Sequence, residues 1–362
     1  MRFLCQWRAG ILVSLILACP LAEAASDRIA LLLPQSGRLS RVAEAIRHGF
    51  LAAYYQDTRA AADSPSLHFY DSDAENIMSL LQKAADDGAS LVVGPLDRER
   101  LEELARANTL PIPVLALNSV ERNAGNLFQF SLAPEDEIQR LAGWMRTQGI
   151  RKPLLLATSD EASQRHIRIF QAAWLQGGQQ DALPSATLDP ARKGGVTASV
   201  RDLVRSPGKH DAFFLASPTL ARQVQPALTY YRSTLPLYSM ASAWDPTADV
   251  SGQKDLDGMR FCDLPWMLTG EARPEQQALY TALNRPVSSY DRLYAFGADA
   301  WTLVRQWRQM QAGQPLMLRS GTVQLDASLR LHRTPTCAEV RNGTATPLWF
   351  PETDKADAGS RS

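Results

Sequence analysis

The feature that most constrains this sequence is a rhythm in which short, unbroken apolar runs alternate with stretches of helical period, from Arg28 to about residue 245. A strand that is apolar at every position is buried on both faces, and a parallel neighbour is reached only through a crossover of a dozen or more residues. Residues 29–34 (IALLLP) read as such a strand and 35–37 (QSG) as a turn, after which Leu39, Val42, Ala43, Ile46, Phe50, Ala53 and Tyr54 fall on one helical face. The unit repeats at 67–70 (LHFY), followed by Ile77, Leu80, Leu81 and Ala84. It repeats again at 91–95 (LVVGP), where Asp97 reads as an N-cap with Leu96 and Leu101 as the apolar pair across it. Residues 113–118 and 127–130 add two strands. Pro134, Glu135, Asp136 and Glu137 then open a helix with acids at its positive end.

The rhythm restarts at 154–157 (LLLA), with Ile167, Phe170 and Trp174 on one helical face and Gly177 with Gly178 as its stop, and continues at 212–216 and 235–238. Two such sets predict an α/β protein of two doubly wound parallel-sheet lobes with a cleft between them. The expected division is 25–133 for the first part of lobe 1, 134–245 for lobe 2 and 246–320 mainly for a return to lobe 1. Residues 321–350 are C-terminal strands and a crossover, and 351–362 a loose polar tail. In the return, Tyr290, Leu293, Tyr294, Gly297, Ala300, Trp301 and Val304 share a face. Residues 322–325 and the segment around Cys337 read as strands, and Asn342 and Gly343 as a hairpin turn.

A chain of 362 residues, 45% hydrophobic, suits two domain-sized cores. Its 38 basic residues match its 38 acidic ones, so the basic stripe that supplies most nucleic-acid affinity is missing and no nucleic-acid partner is expected. Residues 1–24 read as a signal peptide: Arg2 and Arg8, an apolar run over 9–18, and small residues ending at Ala24. That run is about half the length needed to cross a membrane. Residues 16–19 (ILAC) also resemble a lipobox, which makes Cys19 the alternative point of processing and lipidation, although Pro20 is awkward there. Either route exports the chain. Cys262 and Cys337 then form an even pair in an oxidising compartment, and a disulfide between them is expected.

The sequence lacks the patterns of an enzyme. His48, His68, His166, His210 and His332 stand in no metal-ligand spacing, and neither a phosphate cradle nor a G-x-S-x-G elbow is present. Asp71 and Asp73 are a close pair at a strand end, where carboxylates commonly cap the next helix. No catalytic residue, metal or cofactor is therefore expected. Two α/β lobes can still bind at the strand ends and helix N-termini that face the cleft. The candidates are Ser36, Gly37, Gly94, Pro95, Asn118 and Ser119 on the first lobe, and Ser159, Asp160, Ser217, Ser242 and Trp244 on the second. Each also has an ordinary reading as loop or cap chemistry.

The segments IALLLPQSGR, LVVGPLDRERLEELA, VLALN, FQFSLAPEDE and YAFGADAW, in this order and spacing, resemble the C-terminal domain of the LpoA/LppC family of penicillin-binding protein activators from about Arg28 to Phe350. The resemblance implies the fold of type 1 periplasmic binding proteins. It also implies a non-catalytic lipoprotein on the periplasmic side of the outer membrane that stimulates a class A penicillin-binding protein and so promotes peptidoglycan synthesis. The membrane would be touched only through a lipid anchor. The helical-repeat domain that precedes this domain in other members is expected to be absent, because the first strand begins almost at the cleavage site. Partner contact is expected on exposed surface, with Glu135, Asp136 and Glu137 as candidates that the helix dipole explains equally well. The fold also suits the alternative of a solute-binding receptor of an ABC transporter for an amino acid. The loop after Val93, running Gly94, Pro95, Leu96, Asp97 and Arg98, has none of the hydroxyls such receptors use. A small regulatory ligand in the cleft is left open.

Overall fold

The structure, a computed structural model, describes residues 28–58, 64–178, 182–205, 208, 210–268, 273–283 and 290–348. The expected signal peptide, Cys19 and the polar tail lie outside the described residues. The chain begins with β1 (Arg28–Leu33), α1 (Ser40–Thr58), β2 (Ser66–Asp71), α2 (Ile77–Asp86), β3 (Leu91–Val93), α3 (Arg98–Leu104), β4 (Val114–Ala116) and β5 (Leu127–Phe130). The unbroken apolarity of β1 has a direct cause. Ile29, Leu31 and Leu33 feed one core together with α1, while Ala30 and Leu32 feed another with Ile77, Leu80 and Leu101.

A second set follows: α4 (Pro134–Thr147), β6 (Pro153–Ala157), α5 (Glu161–Gln176), β7 (Ser185–Thr187), α6 (Gly195–Arg205), β8 (Ala212–Leu215), α7 (Ala221–Tyr230), β9 (Leu237–Ser239), α8 (Val250–Gln253) and β10 (Arg260–Asp263). The chain then returns through α9 (Pro265–Leu268), α10 (Arg273–Leu283), α11 (Asp291–Arg305), α12 (Trp307–Gln311), β11 (Leu316–Leu318), β12 (Gly321–Leu325) and β13 (Arg330–Thr334), and ends with β14 (Thr336–Arg341) and β15 (Thr344–Pro347).

The strands form two sheets, ordered β11-β12-β13-β5-β4-β3-β1-β2 and β15-β14-β10-β9-β8-β6-β7. Each is parallel through its middle, with antiparallel strands at the end supplied by the C-terminal third. β10 pairs with β9 and β14 in the second sheet. The return to lobe 1 therefore starts after Asp263 rather than at residue 246; the strand was masked by the charged residues at both its ends. β7 and β11 were not anticipated, because each is three residues long and largely unburied. Cys262 and Cys337 are directly opposite one another in the β10–β14 ladder and are joined by a disulfide. Asn342 and Gly343, both at positive φ, make the two-residue turn between β14 and β15.

Helices α1 and α11 approach until their backbones touch. A Cβ at Gly49 would stand 1.9 Å from the Tyr294 carbonyl oxygen, and one at Gly297 1.9 Å from that of Ile46. Phe50 and Trp301 pack edge to face beside this contact at 5.5 Å. α11 is thereby fixed to lobe 1, which matters because it carries a cleft arginine. The chain crosses between the sheets three times: after β5, after β10, and at Pro335 between β13 and β14.

Candidate functional site

Leu132, Leu264 and Pro335, one from each crossing, line a single cavity of about 370 Å³. Its polar wall comes from Glu137 on α4, Ser242 after β9, Asp263 at the end of β10, Arg292 on α11 and Arg333 on β13, and Met240 and His166 also border it. A strand end or a helix start places each of these charges where the lobes meet.

Two electrostatic ties join the lobes here. Asp263, 2% exposed, takes the Arg292 guanidinium on both oxygens: Nε donates at 3.0 Å to each and Nη2 at 2.6 Å. Arg292 Nη2 also reaches the carbonyls of Ala241 and Trp244 at 3.3 and 3.4 Å, and Asp263 accepts from the Leu264 N–H at 2.8 Å. In the second tie, Asp136 on α4 accepts from His332 Nδ1 at 2.9 Å and from the Arg333 N–H at 2.9 Å, while His332 Nε2 faces Asp326 at 3.0 Å. The hydrogen bond to Asp136, helped by that to Asp326, holds His332 up to about 9, so at neutral pH it is a cation between two carboxylates.

Glu137 accepts from the Ala241 N–H, yet burial pushes its carboxyl up to about 8. It is therefore protonated at neutral pH. Elsewhere, Asp299 on α11 accepts from the N–H groups of Arg319 and Ser320, with burial raising it to about 6; it fixes the turn before β12 and lies outside the cavity.

Of the expected cleft residues, Ser242 alone lines the cavity. Trp244 contributes its carbonyl to Arg292. Ser36 and Gly37 lie on an exposed turn. Gly94 and Pro95 are buried, and a Cβ at Gly94 would stand 1.9 Å from the Leu32 carbonyl oxygen, so this glycine answers to packing. Asn118 closes its own loop, donating to the Leu96 carbonyl at 2.9 Å and accepting from the Ser119 N–H at 2.8 Å. Ser119 meets the Ser131 hydroxyl at 3.3 Å. Ser217, Ser163 and Thr158 form a hydroxyl cluster with contacts of 2.7–2.9 Å. Asp160 caps α5 beside that cluster, held down to about 2 by the Thr158 hydroxyl, and Ser159 is exposed next to it.

Of the acids expected on exposed surface, Glu135 stands there in an ion pair with Arg165, whereas Asp136 is engaged by β13 and Glu137 by Ala241. Asp71 accepts from the N–H groups of Gln35 and Asp73, while Asn76 caps α2. Among the described residues no group of three or more side chains could hold a metal ion, and no helix is long and apolar enough to cross a membrane.

The family model described as "LppC putative lipoprotein" matches residues 17–205 and 205–343. The penicillin-binding protein activator LpoA of Klebsiella pneumoniae is 32% identical over 311 residues, covering 76% of this chain and 44% of that protein. The chain thus spans less than half the length of this relative. The C-domain of LpoA from Haemophilus influenzae, titled a regulator of PBP1A, superposes with a TM-score of 0.76 at 24% identity, covering 89% of this chain and all of that one. A "putative branched-chain amino acid ABC transporter" from Chromobacterium violaceum superposes at 0.69 with 29% identity, covering 86% of this chain and 99% of that one.

Proposed function

The chain belongs to the LppC family, and we propose that it acts as a non-catalytic activator of a class A penicillin-binding protein, promoting peptidoglycan synthesis from the periplasmic side. The carrying observation is that the family match runs through both lobes and across all three crossings. The relatives in that match are named activators, and the H. influenzae C-domain of the same extent is titled a regulator of PBP1A. The cleft chemistry agrees: Asp263 with Arg292 and Asp136 with His332 tie the lobes to each other. The family's description as a lipoprotein supports anchoring through lipid at Cys19.

A solute-binding receptor is the second reading, favoured by the 29% identity to the C. violaceum protein over nearly its whole length. Immobilised purified chain incubated with detergent-solubilised envelope from the same organism separates the two. Activation predicts retention of a class A synthase that competes with soluble chain, whereas retention of a permease without a synthase would overturn it.

A further inference from the structure

The cavity at the three crossings contains a buried cation with bonding capacity to spare. Arg333 is 6% exposed. Its Nε donates to the Ser131 carbonyl at 2.8 Å, its Nη2 reaches the Ala133 carbonyl at 3.5 Å, and the nearest carboxylate oxygen, of Asp136, stands 3.8 Å from Nε. A guanidinium carries five N–H donors, and Nη1 meets no acceptor among the described residues. Asp136 gives it only a distant counter-charge at 3.8 Å, its two oxygens being turned to His332 and to the Arg333 backbone N–H. Arg292 differs, since Asp263 matches its charge at 2.6 Å. Burial pulls the Arg333 guanidinium below its usual range, against the opposing pull of carboxylates around it.

The remaining wall selects the ligand. Leu132, Pro134, Met240, Leu264 and Pro335 are apolar, and about 370 Å³ lies within the range of small-molecule sites. An ammonium group would need an ionised acid facing it. Asp263 is consumed by Arg292, and Glu137 keeps its proton at neutral pH. Glu137 can then donate a hydrogen bond, which suits a carboxylate and not an amine.

We propose that this cavity binds a small monocarboxylate with an apolar body, its carboxylate held by the spare guanidinium edge of Arg333 with Glu137 as a second donor, and its hydrocarbon against Leu132, Met240 and Leu264. The site takes a plain acid in preference to the corresponding amino acid. Binding is read without any synthase, so its failure leaves the proposed activation untouched.

The matched probes are 4-methylpentanoate and leucine, which differ only in the ammonium group, titrated calorimetrically into the purified chain at pH 7. We expect one site per chain for 4-methylpentanoate and at least tenfold weaker binding of leucine. Arg333→Lys, which keeps the charge and loses the fork, should weaken 4-methylpentanoate at least tenfold. Ser242→Trp, a substitution at the exposed rim that leaves Arg333 in place, should abolish binding while the thermal transition is retained. Equal or tighter binding of leucine, no heat from either probe up to 10 mM, or binding indifferent to both substitutions would overturn the proposal.

Discussion

The two ties between the lobes use the same kinds of charge in different surroundings. Asp263–Arg292 is sealed, with the Asp263 side chain fully buried and the guanidinium bound through two nitrogens, whereas His332 is half exposed between Asp136 and Asp326. A buried pair is costly to break because the surviving charge is stranded, while an exposed pair is screened and contributes little. The first tie is therefore a fixed pin set by geometry, and the second a titratable latch. That division predicts which perturbations are felt.

The largest effect should come from Arg292→Met, which strands Asp263 and should cost about 3–5 kcal/mol in urea unfolding. The double substitution Asp263→Leu with Arg292→Met should recover most of that loss. If the single and double variants are equally destabilised, the pin owes its effect to lost packing and the contrast with the latch fails. Next comes the disulfide, which holds β10, the strand carrying Asp263, to β14. Replacing both cysteines by serine should cost up to about 4.5 kcal/mol in the chain-entropy model, read from the same urea transitions.

Little of this pin was legible in the sequence, although the lobes around it were. IALLLP, LVVG and LLLA announce strands buried on both faces because alternate residues feed two cores, and that signal is local. Asp263 and Arg292 are far apart in sequence and meet only through the β10 crossing, and Arg333 reaches the cavity from a strand with Leu331 as its one apolar residue, where only the burial alternates. Glu137 looked like helix-dipole chemistry, and only the fold reveals the Ala241 N–H waiting for it. The serines and glycines at strand ends were a fair guess for a binding loop, yet most serve the turns they occupy. The one local clue missed was a carboxylate closing the apolar run FCD just before a crossing.

Smaller effects sharpen the contrast through pH. The Glu137 carboxyl is raised from 4.5 to about 8, so between those values the folded state keeps a proton that the unfolded chain releases, and stability falls as pH rises. Glu137→Gln removes that dependence. Its stability relative to the parent should show little gain near pH 4.5, grow through neutrality and level off near pH 8 at a few kcal/mol. A difference that stays flat with pH would mean that the carboxyl is ionised in the fold.

The smallest effect belongs to the latch. His332 is raised from 6.5 to about 9, so its contribution is fully present below pH 6.5 and lost as pH passes 9. His332→Gln should cost less than about 1 kcal/mol below pH 6.5, given the exposure of the pair, and nothing above pH 9. A cost comparable to that of Arg292→Met would make the two ties equivalent and remove the distinction drawn between them.

Activation of peptidoglycan synthesis by the two pinned lobes is measured by adding the purified chain to a class A penicillin-binding protein of the same organism and following glycan polymerisation and crosslinking from lipid-linked precursor. We expect a saturable rise in rate that the chain cannot produce without the synthase. An unchanged rate at saturating chain, together with no complex between the two proteins, would contradict activation.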